Sequence, residues 1–240
     1  MKRCSAHWNT PSATVGVSSV VTPPGPADVN LWPSAQHAKE YLQRADSIPH
    51  RREGEAALLE FLPRRVGRFL DIGAGGGRLL SLVKSIYPFA QCVALDFSPT
   101  MLEVLRGTFG DEPGVTITEH DLARPLPALG SFDAVVSSFA IHHVSHERKR
   151  SLYGEIFTLL KPGGAFLNLE HVASPTISLH HRFLGAIGYT PETEDPSNKL
   201  LDFEVQLAWL RQIGFVDVDC HWKWRELALL AGAKPAEAAA

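Results

Sequence analysis

The length and composition describe a globular protein, because 240 residues with 45% hydrophobic and 20% charged side chains can bury a substantial core. The formal net charge of −3 supplies no overall positive field for a polyanion, so a nucleic-acid substrate is disfavoured. The three cysteines show no CxxC or Cys/His spacing and no apolar run reaches membrane-spanning length, so we expect a cytoplasmic protein without metal, disulfide or membrane association.

The predicted elements alternate between helices and strands. Residues 1–33 are rich in Ser, Thr, Pro and Gly and predict a flexible N-terminal arm, while residues 233–240 predict a disordered tail. Between them the apolar periodicity predicts one domain over residues 34–232, with helices at 53–63, 76–86, 98–107, 147–162 and 203–214, and strands at 68–72, 91–95, 114–122, 132–141, 165–172, 215–224 and 226–232.

The order of these elements predicts an α/β fold. Alternating strands and helices with short joins imply a parallel sheet that helices cover on both faces. The last two strands are too close together for a crossover helix, so we expect them to pair antiparallel. Residues 172–200 are rich in Ser, Thr, Pro, His and Asp and predict an inserted segment that caps a site.

An acidic residue and four glycines lie at the join between the first predicted strand and the following helix, in the stretch FLDIGAGGGRLL. Glycines allow the backbone to adopt positive φ and let a ligand approach the chain closely. A dinucleotide-binding G-x-G-x-x-G loop would need a third glycine where this chain has Arg78. Asp71 precedes the first glycine and suits a cationic amino group. The loop therefore favours a zwitterionic ligand over a diphosphate.

Other polar side chains follow the neighbouring strands, whose carboxyl ends meet at one edge of a parallel sheet. Asp96 ends the second strand, where its carboxylate can accept both hydroxyls of a ribose. Phe97 can lie along a base, and Asp121 can accept from an exocyclic amino group. Together these positions describe a nucleoside with a charged amino-acid arm.

These stretches, in this order, resemble the motifs of the class I S-adenosylmethionine-dependent methyltransferases: FLDIGAGGGRL, VALDFSPTML, ITEHDLARPLP, FDAVVSSFAIHHV and LKPGGAFLNLEH. The resemblance covers roughly residues 35–230. It implies a Rossmann-like, doubly wound sheet of seven strands, mostly parallel with an antiparallel last strand. It also implies S-adenosylmethionine as cofactor, S-adenosylhomocysteine as product, and these cofactor-binding residues: Tyr41, Arg44, Asp71, Gly73, Ala74, Gly75, Asp96, Phe97, Asp121, Leu122 and Ser137.

Tyr41 and Arg44 enter this set through a second resemblance. A subset of the family carries a Tyr-x-x-Arg stretch ahead of the core and uses it around the methionine carboxylate. Here KEYLQRADSIPHR has that pattern, and Arg52 and Arg78 are alternative partners for the carboxylate.

The candidate catalytic residues lie after the fourth and within the fifth predicted strand. His142 and His143 are the first choice for a general base because imidazole exchanges protons near neutral pH, and Glu170 and His171 are the second. Whether a base is needed stays open, since the sulfonium is already activated and the protein mainly excludes water and aligns the reactants.

The sequence motifs therefore predict methyl transfer to an O, N, S or C atom of a small molecule. Two alternatives stay open: a tRNA-modifying methyl- or carboxymethyltransferase, and a non-catalytic adenosylmethionine-binding module that acts through its N-terminal arm. The small-molecule acceptor is the only partner we predict, with no nucleic acid and no membrane, and a homodimer is an open alternative.

Overall fold

The computed structural model describes residues 30–237, and its strands form a single sheet. The strands are β1 (Arg68–Ile72), β2 (Gln91–Asp96), β3 (Val115–Glu119), β4 (Phe132–Ser138), β5 (Leu160–His171), β6 (Val216–Trp224) and β7 (Leu227–Ala233). Their order is β3-β2-β1-β4-β5-β7-β6. Strands β1 to β5 pair in parallel, and β7 pairs antiparallel with both β5 and β6. The predicted seven-stranded sheet is confirmed.

Helices precede the first strand and connect most of the later ones. They are α1 (Ala35–Arg44), α2 (Arg51–Glu60), α3 (Arg78–Ile86), α4 (Pro99–Phe109), α5 (His146–Leu159), α6 (Ile177–Ala186) and α7 (Phe203–Ile213), with short 3-10 helices at Ala45–Ser47 and Ile141–His143. None of the helices within residues 30–237 is long and apolar enough to cross a membrane.

Two apolar cores lie on opposite faces of the sheet. Because successive strand residues point to opposite faces, Phe69 packs into one core and Leu70 into the other. Leu80 of α3 joins the core of Phe69, and Leu152 of α5 joins the core of Leu70. Helices therefore cover both faces, as the alternating pattern predicts.

Two of the boundaries that differ from the sequence prediction are the start of β5 and the end of β7. Strand β5 begins at Leu160 rather than at residue 165, because it continues through Lys161–Gly164 with a register shift against β4. At the other end, Ala233 still belongs to β7 and the backbone of Lys234 bonds to Gly163 and Gly164. The predicted tail therefore starts too early. Residues 1–29 of the predicted arm lie outside the described residues, so the domain limits 34–232 stay a prediction.

The segment predicted as a cap contains an unpredicted helix. Its polar composition gave no clear helical period, but Thr176 caps α6 by accepting a hydrogen bond from the Leu179 backbone. The helix packs through Phe183 and Leu184 against Leu227 of β7. Tertiary packing therefore stabilises a helix that the sequence pattern did not indicate.

Candidate active site

A cavity of about 720 Å³ opens at the carboxyl edge of β1, β2 and β4. Parallel strands end at the same edge, so residues that are far apart in the chain meet here. The structure places most of the predicted cofactor-binding residues in its wall: Tyr41, Asp71, Gly73, Ala74, Gly75, Asp96, Phe97, Asp121 and Leu122. We call this the first cavity, and its size falls within the ~300–1,000 Å³ typical of small-molecule sites.

The glycine loop forms the floor of the first cavity. Gly73 and Gly75 have φ of +68° and +54°, a region that side chains with a Cβ rarely adopt. A Cβ on Gly73 would also overlap the side chain of Ala140, which follows β4. At Gly75 the nearest atom to such a Cβ is Sδ of Met101, 3.9 Å away, so space is open there. The first glycine is required by packing and the second leaves room for a ligand.

Asp96 ties the loop to the end of β2. Its Oδ2 accepts from the backbone N–H of Gly75 at 2.8 Å, and its Oδ1 accepts from Ser98 at 2.9 Å. Burial raises the pKa of Asp96, while these backbone hydrogen bonds oppose the rise. Each carboxylate oxygen can accept more than one hydrogen bond, so Asp96 can still accept from a diol.

Asp71 is the most unusual polar group of the site. Asp71 is 1% exposed, and neither carboxylate oxygen has a side-chain hydrogen-bond partner among the described residues; the backbone N–H of Leu80 acts on it and partly opposes the rise of its pKa. Burial and, second, the charge of Asp96 raise the pKa of Asp71 to about 7. A buried carboxylate without a partner is costly unless a cation or donor pairs with it.

The two residues of the predicted Tyr-x-x-Arg pair differ in whether they reach the first cavity. Tyr41 faces the first cavity, but the guanidinium of Arg44 lies 4.8 Å above the ring of Tyr189, away from that cavity. Arg51 takes its place: it is buried, lines the first cavity and donates to the Tyr41 hydroxyl at 3.0 Å. Three residues apart on α1, Tyr41 and Arg44 share a helical face and both line a smaller neighbouring cavity, but of the two only Tyr41 also lines the first cavity, so the prediction for Arg44 is wrong in this respect.

The two alternative arginines differ. Arg52 is exposed and does not line the first cavity, since it is one residue beyond Arg51 on α2. Arg78 also lines the first cavity, and like Arg51, whose Nε donates to Glu55 at 2.8 Å, it pairs with Glu55, here through both oxygens at 2.6 and 2.7 Å. Its further ion pair with Asp46 engages its guanidinium more fully. Sequence reasoning missed Arg51, and no spacing rule pointed to it.

Comparison with known proteins agrees with this geometry. A family model described as a methyltransferase domain matches residues 69–164. A demethylmenaquinone methyltransferase of Thermus thermophilus is 34% identical over 128 residues, which are 52% of this chain and 55% of the relative. Another, of Clavibacter sepedonicus, is 32% identical over 188 residues, which are 70% of this chain and 74% of the relative. The chain belongs to the class I S-adenosylmethionine-dependent methyltransferases.

The solved structures show the same fold. An O-methyltransferase family protein from Burkholderia thailandensis superposes with a TM-score of 0.68 at 18% identity, covering 86% of this methyltransferase and 62% of that chain. This chain spans about half the length of the Thermus relative, 55% of it. The identity of the methyl acceptor therefore does not follow from these relatives.

Ser137, the last predicted cofactor residue, does not reach the first cavity of the methyltransferase. Its hydroxyl is buried and donates to the carbonyl of Ile72 at 2.9 Å, joining β4 to β1. Ser138 lines the cavity instead. The prediction is off by one residue, and one residue along a strand turns the side chain to the other face.

The predicted catalytic residues lie around a smaller cavity of about 270 Å³, which we call the second cavity. His142 and His171 line it, and Glu170 is fully buried behind His142. His143 lines both cavities. Three of the four predicted catalytic residues thus line the second cavity, and of these three only His143 also lines the first. Within residues 30–237, no cluster of three or more His, Cys, Asp and Glu side chains could hold a metal ion.

Both ring nitrogens of His143 are already engaged. Its Nε2 accepts from the indole N–H of Trp32 at 3.0 Å, so its proton lies on Nδ1, which bonds to the hydroxyl of Ser197 at 3.0 Å. Burial, followed by the charge of His142, holds the pKa of His143 well below its usual range. The ring is therefore neutral and its tautomer is set by Trp32, a contact across 111 residues that no local pattern indicates.

Proposed function

We propose that this methyltransferase transfers the methyl group of S-adenosylmethionine to a nucleophilic atom of a small molecule. The observation that carries the proposal is the buried carboxylate of Asp71, which has no side-chain partner among the described residues and lines the first cavity together with the glycine loop. An amino acid's ammonium group would supply the missing cation there. The relatives named demethylmenaquinone methyltransferase support a small organic acceptor.

The residues of the first cavity fit each part of this cofactor. Asp71 would take the amino group, and Tyr41 with Arg51 would take the carboxylate. Asp96 would accept the ribose hydroxyls, while Phe97, Asp121 and Leu122 would surround the adenine, and all of these residues line the first cavity. When bound, S-adenosylmethionine supplies a methyl group that its sulfonium has already activated for displacement.

The protein's own part is to align the reactants and exclude water. Most of the first cavity's polar groups are held by neighbours, as the Arg51–Tyr41 and Asp96–Gly75 hydrogen bonds show. Such preorganisation lowers the entropic cost of bringing two reactants together. His142 is the side chain best placed to receive a proton, since Trp32 occupies the Nε2 of His143.

Two measurements test the proposal. Calorimetric titration with S-adenosylhomocysteine should show one site per chain, and incubation with isotope-labelled S-adenosylmethionine and a metabolite extract should give labelled small molecules by mass spectrometry. Binding without any labelled product would favour the non-catalytic alternative. Labelled tRNA instead of metabolites would contradict the small-molecule assignment.

A further inference from the structure

The loop that follows β3, residues 120–126, brings Asp121 and Leu122 to the wall of the first cavity. We call it the β3 loop. It turns tightly, because Oδ1 of Asp121 accepts from the backbone N–H of Ala123 at 2.8 Å and the Asp121 carbonyl accepts from that of Arg124 at 2.9 Å. The second carboxylate oxygen of Asp121 is left free of that bond and can accept from a ligand. The direction of this carboxylate therefore depends on how the β3 loop is held.

Two carbonyls of the β3 loop accept hydrogen bonds from one guanidinium on α5. Nε of Arg148 donates to the Leu122 carbonyl and Nη2 donates to the Arg124 carbonyl, both at 2.7 Å. A single planar, rigid group thus joins two carbonyls of the same short loop. Because Asp121 is the residue immediately before Leu122, fixing the Leu122 carbonyl restricts the backbone that carries the Asp121 carboxylate.

A carboxylate on the same helix holds both this guanidinium and the end of the β3 loop. Arg148 and Glu155 are seven residues apart on α5, which is two helical turns, so they share one face. Glu155 accepts from the two Nη atoms of Arg148 at 2.6 and 2.8 Å, and its Oε2 also accepts from the backbone N–H of Leu126 at 2.8 Å. Burial opposes ionisation of Glu155, but the hydrogen bonds from Arg148 and Leu126 outweigh it and lower its pKa. We call Arg148 and Glu155 the loop clamp.

The five N–H donors of Arg148 are all used within the protein. Four bond to the two loop carbonyls and the two oxygens of Glu155, and the fifth donates to the hydroxyl of Ser151 at 2.8 Å. An arginine side chain has five such donors and no acceptor. Arg148 lines the first cavity, but its side chain is only 11% exposed and has no N–H left for a ligand. Its contribution is therefore to position the β3 loop.

We infer that the loop clamp positions Asp121 against the adenine base and thereby makes the protein prefer adenine over hypoxanthine; the inference rests on the proposed function. Adenine carries an amino group at C6, which donates to a carboxylate. Hypoxanthine carries a carbonyl oxygen there, so two acceptors would face each other. A site built to hydrogen-bond one group rejects an analogue that lacks it, and this rejection requires that the site be held in place. Arg148 and Glu155 are then positioning residues.

The test compares two ligands that differ in the group at C6 of the base. S-adenosylhomocysteine and S-inosylhomocysteine are titrated separately into the full chain by calorimetry. The unaltered protein should bind the adenosine form at least about tenfold more tightly, because the inosine form leaves Asp121 without a donor. Arg148→Gln should reduce this ratio to about threefold or less, mainly by weakening S-adenosylhomocysteine, since only a fraction of the chains then holds the β3 loop in the binding conformation.

Three further variants separate geometry from charge. Arg148→Lys keeps the charge but replaces the planar fork by three donors on one atom, so it should not restore the ratio. Glu155→Gln keeps the shape of the side chain and removes its charge, so it should lower the ratio about threefold. Arg150→Gln is the matched control, because Arg150 is exposed on the same helix and donates to Gln212 at 3.1 Å; the ratio should not change.

Urea unfolding of the ligand-free variants distinguishes positioning from a general loss of stability. A clamp that only stabilises the fold would lower the free energy of unfolding and leave the ligand ratio at its original value. An unchanged ratio in whichever of Arg148→Gln and Glu155→Gln folds would therefore overturn the inference. Full recovery of the ratio in Arg148→Lys, or equal binding of both ligands by the unaltered protein, would also overturn it. Failure of S-adenosylhomocysteine to bind the unaltered protein would instead overturn the proposed function.

Discussion

Replacing Asp71 by Asn tests two effects of its carboxylate: the destabilisation of the ligand-free protein and the binding of the cofactor. Burial, and then the charge of Asp96, raises the pKa of Asp71 from 3.8 to about 7. This rise is about three pKa units at about 1.4 kcal/mol each, so keeping the carboxylate ionised costs the free protein about 4 kcal/mol at pH 8. Because the folded-state pKa is the higher one, this loss of stability develops as the pH rises from about 4 through 7.

The uncharged Asn has a similar shape and does not titrate. Without ligand, we expect the unaltered protein to lose about 3 kcal/mol of unfolding free energy between pH 5 and pH 8 relative to Asp71→Asn. Comparing two pH values cancels the cost of burying the amide itself. Asp121→Asn is the control, because Asp121 also lines the cavity but is partly exposed.

Urea unfolding at both pH values measures the stability difference, and calorimetry measures S-adenosylhomocysteine binding. Asp71→Asn should bind at least about tenfold more weakly, since a charge-assisted hydrogen bond contributes about 1.5–3 kcal/mol. For the unaltered protein, affinity should fall about tenfold for each pH unit below 7 as Asp71 becomes protonated. A pH-independent stability difference together with unchanged affinity would refute the reasoning.

Three further variants test the first cavity by the same calorimetric titration with S-adenosylhomocysteine. Asp96→Ala should weaken binding at least about tenfold, because it removes the diol acceptor and the anchor of the Gly75 amide; undiminished affinity would dismiss the ribose assignment. Gly75→Val should abolish binding, and a variant that still binds would show that the loop does not face the ligand. Arg51→Gln should weaken binding about tenfold or more while Arg44→Gln does not, and the reverse ranking would restore the Tyr-x-x-Arg prediction.

The alternation of strands and helices could be predicted from the sequence because each element depends on a local pattern of residues. Strands such as residues 68–72 are short apolar runs, and the glycines after Asp71 mark a strand-to-helix turn that a ligand approaches. Asp96 stands at the end of its strand, and every parallel strand end lies at the same edge. The position of the first cavity could therefore be predicted from the spacing of a few residues.

The direction of individual side chains could not be predicted in the same way. Arg44 and Arg51 are both near Tyr41, but only the rotation of α1 and α2 against the sheet decides which one enters the first cavity. Ser137 and Ser138 differ by one position, and the pleat turns one toward Ile72 and the other toward the cavity.

The amino-acid sequence by itself determined the α/β architecture, the glycine loop and the acidic strand ends, because periodicity and backbone conformation act over a few neighbouring residues. Only the tertiary structure decided that His142 and His171 face a second cavity and that Trp32 holds His143 in one tautomer. Those contacts join residues far apart in the chain, and their geometry depends on how helices and strands pack, which no local pattern encodes.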